Sequence, residues 1–292
     1  MTVQGVQYFN NPITVTYRLK GFEEEIKSHS HQHYEIFFFH QGNCRYLINH
    51  HIYDLKSGDI LLMDGLALHK PNVPDDSDYI RSHIHFDPNY IAPILESLGA
   101  TQLLNVFHRL HHCLIRPTEK NKLEGLESLF KKMNEAQSEE GTAQQEEWIL
   151  KILLTHVLIK VNHLGQITSQ KETSAHNDKA RQAEKITSII RANFQNKLSL
   201  ELIANEVQLS PSYVSHVFKE MTGFAVMEYV MAVRLQQVKL LLEMETNKTL
   251  QQIAKECGFE SAAHFTRFFK GNEGITPKQY RENQWQIQKR SE

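Results

Sequence analysis

The chain has 292 residues, 40 % of them hydrophobic and 23 % charged, with 32 Lys+Arg against 34 Asp+Glu and a formal net charge of −2. That length suits two domains, each able to bury its own core, and the composition is that of an ordinary soluble protein. No apolar run follows a basic patch near the start and no stretch of about eighteen apolar residues occurs, so neither a signal peptide nor a membrane span is expected and the chain reads as cytoplasmic. The three cysteines, Cys44, Cys113 and Cys257, are odd in number and scattered, which argues against a disulfide framework and against a Cys-based zinc site.

From Ile13 to about Pro88 the pattern is that of short strands: Ile13–Tyr17, Glu35–Phe39, Arg45–Ile48, Ile52–Leu55, Asp59–Met63 and Ile80–Phe86, separated by Gly, Asn and Asp. Six such runs at close spacing predict a small barrel or jelly roll. Asn49-His50 fits a tight hairpin turn, because Asn and, less readily, His tolerate positive φ. Along an extended strand His29, His31, His33 and Glu35 all point to one face. His29-Ser-His31, with Glu35 after three more residues and Gly42 after another six, is similar to the first signature of the cupin superfamily, and Gly58 followed eleven positions later by His69 to the second. Asp64 and Leu66 depart from the Pro and Gly usual in that second signature. His29, His31, Glu35 and His69 are therefore candidate ligands for a divalent transition metal in the barrel. His83 and His85 alternate along a strand and could line the same mouth.

From Ile91 to about Leu164 the period becomes helical, with amphipathic segments at Ile91–Leu98, Leu103–Cys113, Asn121–Ala136 and Glu146–His163, broken at Gly99, Pro117 and Gln137–Gln145. The run Trp148–Val161 is apolar over much of its circumference, which suits either dimerisation or a fully buried core helix. Residues 1–165 thus form one expected domain, the polar stretch 166–183 a linker, and 184–292 a second domain that opens with a helix from Ala183 to about Phe194.

Within that second domain one pattern occurs twice. Leu200–Lys219 and Leu250–Lys270 each carry a short helix with a small residue on its apolar face (Ala204, Ala254), then a turn, then a second helix that starts at a serine (Ser210, Ser261). Two short helices can cross steeply only where one presents a small side chain, and this is the layout of a helix-turn-helix. Val214, Val217 and Phe218, and likewise Phe265, Phe268 and Phe269, recur at helical spacing and face inward. That leaves Ser212, Ser215, His216 and Lys219 of the first copy, and Ala262, Ala263, His264, Thr266, Arg267 and Lys270 of the second, free to meet DNA. Between the copies Val226–Leu242 predicts a helix roughly 25 Å long, enough to set two recognition helices about one DNA turn apart.

These residues, with Leu209-Ser-Pro-Ser-Tyr213, Phe218-Lys219, Gly223, Arg234–Leu242, Gly258-Phe259, Phe268-Phe-Lys270, Gly274 and Thr276-Pro-Lys-Gln-Tyr-Arg281, closely resemble the AraC/XylS family of bacterial transcription regulators over roughly the last hundred positions. The resemblance implies a DNA-binding regulator whose amino-terminal half senses a ligand or dimerises. Double-stranded DNA, a small-molecule effector, a second copy of the chain and RNA polymerase are the implied partners, and no catalytic residue is implied. It also implies that the cupin-like positions serve a small molecule, or nothing, as readily as a metal. Residues 184–292 carry 14 Lys+Arg against 12 Asp+Glu, and residues 1–183 carry 18 against 22. So small a difference means that any basic surface comes from arrangement, with Lys219, Arg234, Arg267, Lys270 and Lys278 as candidate phosphate contacts. Two rival readings stand beside this one: a metal-dependent cupin enzyme with a DNA-binding tail, and a ligand-free dimeric regulator.

Overall fold

The computed structural model describes residues 11–21, 33–64, 68–73, 78–109, 112–117, 121–137, 142–168, 178–245 and 247–291. Among the described residues the amino-terminal part holds eight strands: β1 (Ile13–Lys20), β2 (Tyr34–Gln41), β3 (Arg45–Ile48), β4 (His51–Asp54), β5 (Ile60–Met63), β6 (His69–Asn72), β7 (Ile80–Phe86) and β8 (His112–Ile115). They form two antiparallel sheets, ordered β1-β7-β2-β5-β8 and β4-β3-β6. Helices α1 (Pro88–Ser97), α2 (Asn105–Arg109), α3 (Asn121–Ala136) and α4 (Ala143–Thr168) complete this half.

The unbroken apolar run of β2 has a direct cause. Ile36 and Phe38 face outward into a core shared with Leu126, Phe130 and Met133 of α3 and Leu154, Val157 and Leu158 of α4. Phe37 and Phe39 face inward against Tyr46, Ile48, Leu61 and Tyr79 between the sheets. A strand covered on both faces has no polar side to alternate with. The edge strand β1 is protected at the end of α3, where the side chain of Gln137, the residue after the helix, donates to the Val15 carbonyl (2.8 Å) and accepts from the Val15 amide (2.9 Å), standing in for a neighbouring strand.

Several expectations are corrected here. The helix expected over Leu103–Cys113 is a 3-10 turn at Thr101–Leu104 and the short α2, after which the chain turns extended. His112–Ile115 pairs with β5 instead, so a free sheet edge outweighs local helical periodicity. Strand β6 escapes a propensity reading because it contains Pro71, tolerated at the edge of the smaller sheet. Helix α4 runs through Gly165 to Thr168, and the helix expected at Ala183 begins at Asp178. Asn49 does adopt positive φ, at 54°, in the β3–β4 turn.

Among the described residues no helix is long and apolar enough to cross a membrane. Cys44 and Cys257 are buried free thiols.

One buried polar cluster outside the smaller sheet carries a pH prediction. His40 is 9 % exposed, its Nε2 lies 2.7 Å from the Ser82 hydroxyl and its Nδ1 3.8 Å from Glu127 of α3. Burial pushes its imidazole down to about 4, with Glu127 pulling upward and Arg18 downward. A depressed folded value means that the stability is fully present above the unfolded value of about 6.5 and is lost as pH falls toward 4. The loss from this site is on the order of 3 kcal/mol. Denaturant titrations between pH 7 and pH 4 should show it, and His40→Asn should flatten that part of the curve; an unchanged slope would contradict the assignment.

The carboxyl-terminal half comprises α5 (Asp178–Asn193), α6 (Leu200–Val207), α7 (Pro211–Thr222), α8 (Val226–Met244), α9 (Leu250–Glu256), α10 (Ala262–Glu273) and α11 (Pro277–Ser291). The smaller sheet docks on its first part: Leu47, Ile52 and Leu68 join the core formed by α5, α6, α7 and the first half of α8. The tip of the β3–β4 hairpin is held there as well. The Tyr229 hydroxyl donates to the Asn49 carbonyl, Arg191 donates to the Asn49 side chain (3.2 Å), and Glu184 accepts from the Ile52 amide (3.0 Å).

Candidate nucleic-acid interface and candidate effector face

Each helix-turn-helix is assembled by its caps. Ser199 accepts from the Leu202 amide to start α6, and Gln208 ends it in the left-handed conformation at φ 60°. Ser210 accepts from the Tyr213 amide (3.3 Å) to start α7, with Pro211 in the first turn where no donor is lost, and Gly223 ends it at φ 74°. The second copy repeats the scheme with Thr249 and Gln252 as a capping box for α9, Ser261 accepting from the His264 amide (3.2 Å) for α10, and Gly274 at φ 74°. Ala204 and Ala254 are buried at the two crossings.

The side chains that face away from these cores are those expected to meet DNA. Ser212, Ser215, His216 and Lys219 on α7, and Ala262, Ala263, His264, Thr266, Arg267 and Lys270 on α10, are all exposed. Ser212, Ser215, His216 and Lys219 line one concavity together with Leu200 and Pro211. Two details qualify the chemistry. The Thr266 hydroxyl donates back to the Ala262 carbonyl (2.9 Å), so its remaining capacity is as an acceptor. His216 lies 3.5 Å from Glu220, whose carboxyl Lys179 holds below its ordinary range. Arg234, a candidate phosphate contact by sequence, is instead turned inward and donates to two backbone carbonyls.

The last turn of α7 is completed from the other half of the chain. Helix ends leave carbonyls without intrahelical partners. Here Asn72 donates to the Glu220 carbonyl (2.7 Å), Arg45 reaches the same oxygen (3.5 Å), and Lys70 donates to the Gly223 carbonyl (3.3 Å). Lys70 also sits over the Phe224 ring, 4.3 Å from its centre. Strands β3 and β6 are therefore two-faced. Arg45, Lys70 and Asn72 point at the recognition helix, while Tyr46 and His69, the alternate residues, point between the sheets and stack with ring centres 6.3 Å apart.

On that inner face Glu35 of β2 is 4 % exposed, and its Oε2 lies 3.1 Å from His69 Nε2 and 3.4 Å from His85 Nε2. Burial alone would push this carboxyl up, but His85 and His69 outweigh it and hold it well below the usual carboxylate range. His85 stands opposite Glu35 in the β2–β7 register, and His69 reaches across from the other sheet. Of the four expected metal ligands the structure brings Glu35 and His69 together, while His29 and His31 lie outside the described residues. Among the described residues no group of three His, Cys, Asp or Glu side chains could hold a metal ion; the carboxylate oxygen lies against the two imidazole nitrogens. His85 was legible only as an alternating neighbour of His83, since nothing in the sequence states which residue of β2 it faces.

Residues 14–147 match the family described as AraC-like ligand binding domain, and residues 203–283 match that described as a helix-turn-helix domain. The chain belongs to the AraC/XylS family of transcription regulators. Relatives include an uncharacterised HTH-type transcriptional regulator, YtdP, of Bacillus subtilis, 30 % identical over 190 residues that make up 65 % of this chain and 22 % of that protein. The HTH-type transcriptional activator RhaR of Yersinia pseudotuberculosis is 22 % identical over 93 % of this chain and 89 % of its own length. Among solved structures, an AraC-type DNA-binding transcriptional regulator from Chromobacterium violaceum is 29 % identical and covers 37 % of this chain and 96 % of that one, with a TM-score of 0.34. The chain spans 22 % and 30 % of the length of the two curated relatives that head the comparison.

Proposed function

We propose that this AraC/XylS member is a sequence-specific DNA-binding transcription regulator that acts in the cytoplasm, is not an enzyme, and answers to a small molecule taken up by its two-sheet half. The observation that carries the reading is the pair of exposed recognition helices on one chain, the first of them capped by the strands whose opposite face carries His69 and Tyr46 and meets Glu35. An effector bonding to Glu35, His69 or His85 would displace β6 and, through Lys70 and Asn72, shift the end of α7, so that ligand and DNA occupancy are coupled. The division of labour keeps the expected order, 1–165 for sensing, 166–183 as connector and 184–292 for DNA, with the connector shortened because α4 runs to Thr168 and α5 starts at Asp178. The metal expected at His29, His31, Glu35 and His69 is left out of this reading, and stoichiometric metal in the purified protein would overturn that omission.

Two further partners belong to the proposal. A second copy of the chain would pack on α4, where Trp148, Ile152 and Ile159 are exposed along one side of the helix at 56 %, 63 % and 49 %; sedimentation of the full-length protein as a monomer at micromolar concentration would refute it. RNA polymerase is the remaining partner for a regulator of this kind, to be sought by testing transcription from a bound promoter.

Residue chemistry assigns the DNA contacts. Arg267 can bond a guanine through two donors, Ala262 or Ala263 can pack on a thymine methyl, and Lys219 and Lys270 can meet phosphates. Arg267→Ala is expected to cost about 1–3 kcal/mol and to relax selection at one guanine, whereas Lys219→Ala should weaken binding to all sequences alike and reduce the salt slope by about one. Titrations against single-base variants of a selected duplex decide between these roles. An equal loss on every duplex would mean that Arg267 touches phosphate and reads no base.

A further inference from the structure

The two helix-turn-helix units have separate cores. Val214, Val217, Phe218, Tyr229 and Val230 belong to one buried cluster, and Val238, Leu242, Phe265 and Phe269 to another, with α8 running through both. A shared helix alone is a compliant link, because long helices bend gently wherever packing allows. Something else must fix the angle between the units if both are to enter DNA together.

That fixture sits in the middle of α8. Arg234 lies between the last α8 residue of the first core, Val233, and the first buried one of the second, Val238. Its Nε donates to the Phe194 carbonyl (2.8 Å) and its Nη2 to the Asn196 carbonyl (2.9 Å), in the loop that follows α5. These oxygens stand at the end of α5, where carbonyls lack helical partners and a cation is favoured. The same loop, at the same Phe194 carbonyl, meets the turn of the second unit at Gly258. There φ is +79°, and a Cβ would lie 2.6 Å from the Phe194 carbonyl oxygen, 2.9 Å from that of Gln195 and 3.0 Å from Arg234 Nε. Only glycine satisfies both the left-handed backbone and that approach. The loop of the first unit, the linking helix and the turn of the second unit thus meet at one point, the Phe194 carbonyl.

We infer that Arg234 and Gly258 are positioning residues that set the spacing and rotational phase of the two recognition helices, and so determine which separation of DNA half-sites the protein accepts. The inference rests on the DNA-binding reading above. Neither residue touches a base in this arrangement; each acts through the direction in which α10 is held relative to α7. B-DNA turns fully in about 10–10.5 base pairs, so adding or removing one pair swings the second half-site around the duplex axis and a rigid pair of readers cannot follow.

The test uses the full-length protein and a duplex that it enriches from a random-sequence pool, together with derivatives carrying one base pair more or fewer between the two contacted segments. The unaltered protein should lose at least about tenfold in affinity on both shifted duplexes, comparable to a mismatched base pair. Arg234→Lys, which keeps the charge but not the two-pronged geometry, and Gly258→Ala should each bind the parent duplex more weakly, yet discriminate against the shifted ones severalfold less. A melting transition and helical circular dichroism like those of the parent establish that each variant folds, and the milder Arg234→Lys serves if Gly258→Ala does not. A merely structural role would lower affinity for all three duplexes by one factor, and an unchanged ratio in a folded variant overturns the inference. No enrichment of any duplex by the unaltered protein would overturn the DNA-binding reading itself, and the inference with it.

Discussion

Replacing Glu35 by alanine is expected to lower the free energy of unfolding by about 3–5 kcal/mol, because it removes the buried carboxylate oxygen that two imidazoles share. Glu35→Gln, which keeps the shape and an acceptor, costs less. The effect extends beyond the site. Glu35 belongs to the larger sheet and His69 to the smaller, so their contact ties the sheets together at the strand that caps α7. Urea unfolding of the two variants measures the loss, and a Glu35→Ala cost below about 1 kcal/mol, the range of an exposed ion pair, would show that this cluster is not a structural tie.

Phe269→Ala should be as costly, about 3–5 kcal/mol, but confined. Phe269 is fully buried against Phe265 and Tyr280 in a core that holds only the second helix-turn-helix unit and the far half of α8. The variant is expected to melt in two steps and, between them, to protect only the DNA segment read by α7. Loss of both segments together would mean that the two units fold and bind as one.

How much of this was legible in the sequence depends on whether the cause is local. The carboxyl-terminal half could be read closely because its signals are short-range: Ser210 and Ser261 cap the helices that follow them, Ala204 and Ala254 sit at crossings a few residues away, and Gly223 and Gly274 end helices at positive φ. The exposed faces of α7 and α10 then follow from helical period alone. What was hidden depended on partners distant in the chain. Strand β8 forms because β5 has a free edge, although its residues are preceded by a helical pattern. His85 joins Glu35 through a register that no local pattern specifies. Arg234 looked like a phosphate contact, since its charge was visible and the carbonyls of Phe194 and Asn196 were not. The grip of Arg45, Lys70 and Asn72 on α7 links residues roughly 150 positions apart, with Asn72 and Glu220 separated by 148, and only the folded chain reveals it.

In the proposed function one chain reads DNA with two dissimilar helices side by side. Hydroxyl-radical footprinting of the full-length protein on its selected duplex tests it most directly. Each subunit is expected to protect an asymmetric site of roughly 16–20 base pairs across two successive major grooves, with different sequences in the two halves. A site in which each subunit covers a single groove, the two related by a two-fold axis and contacted by one motif apiece, would contradict it.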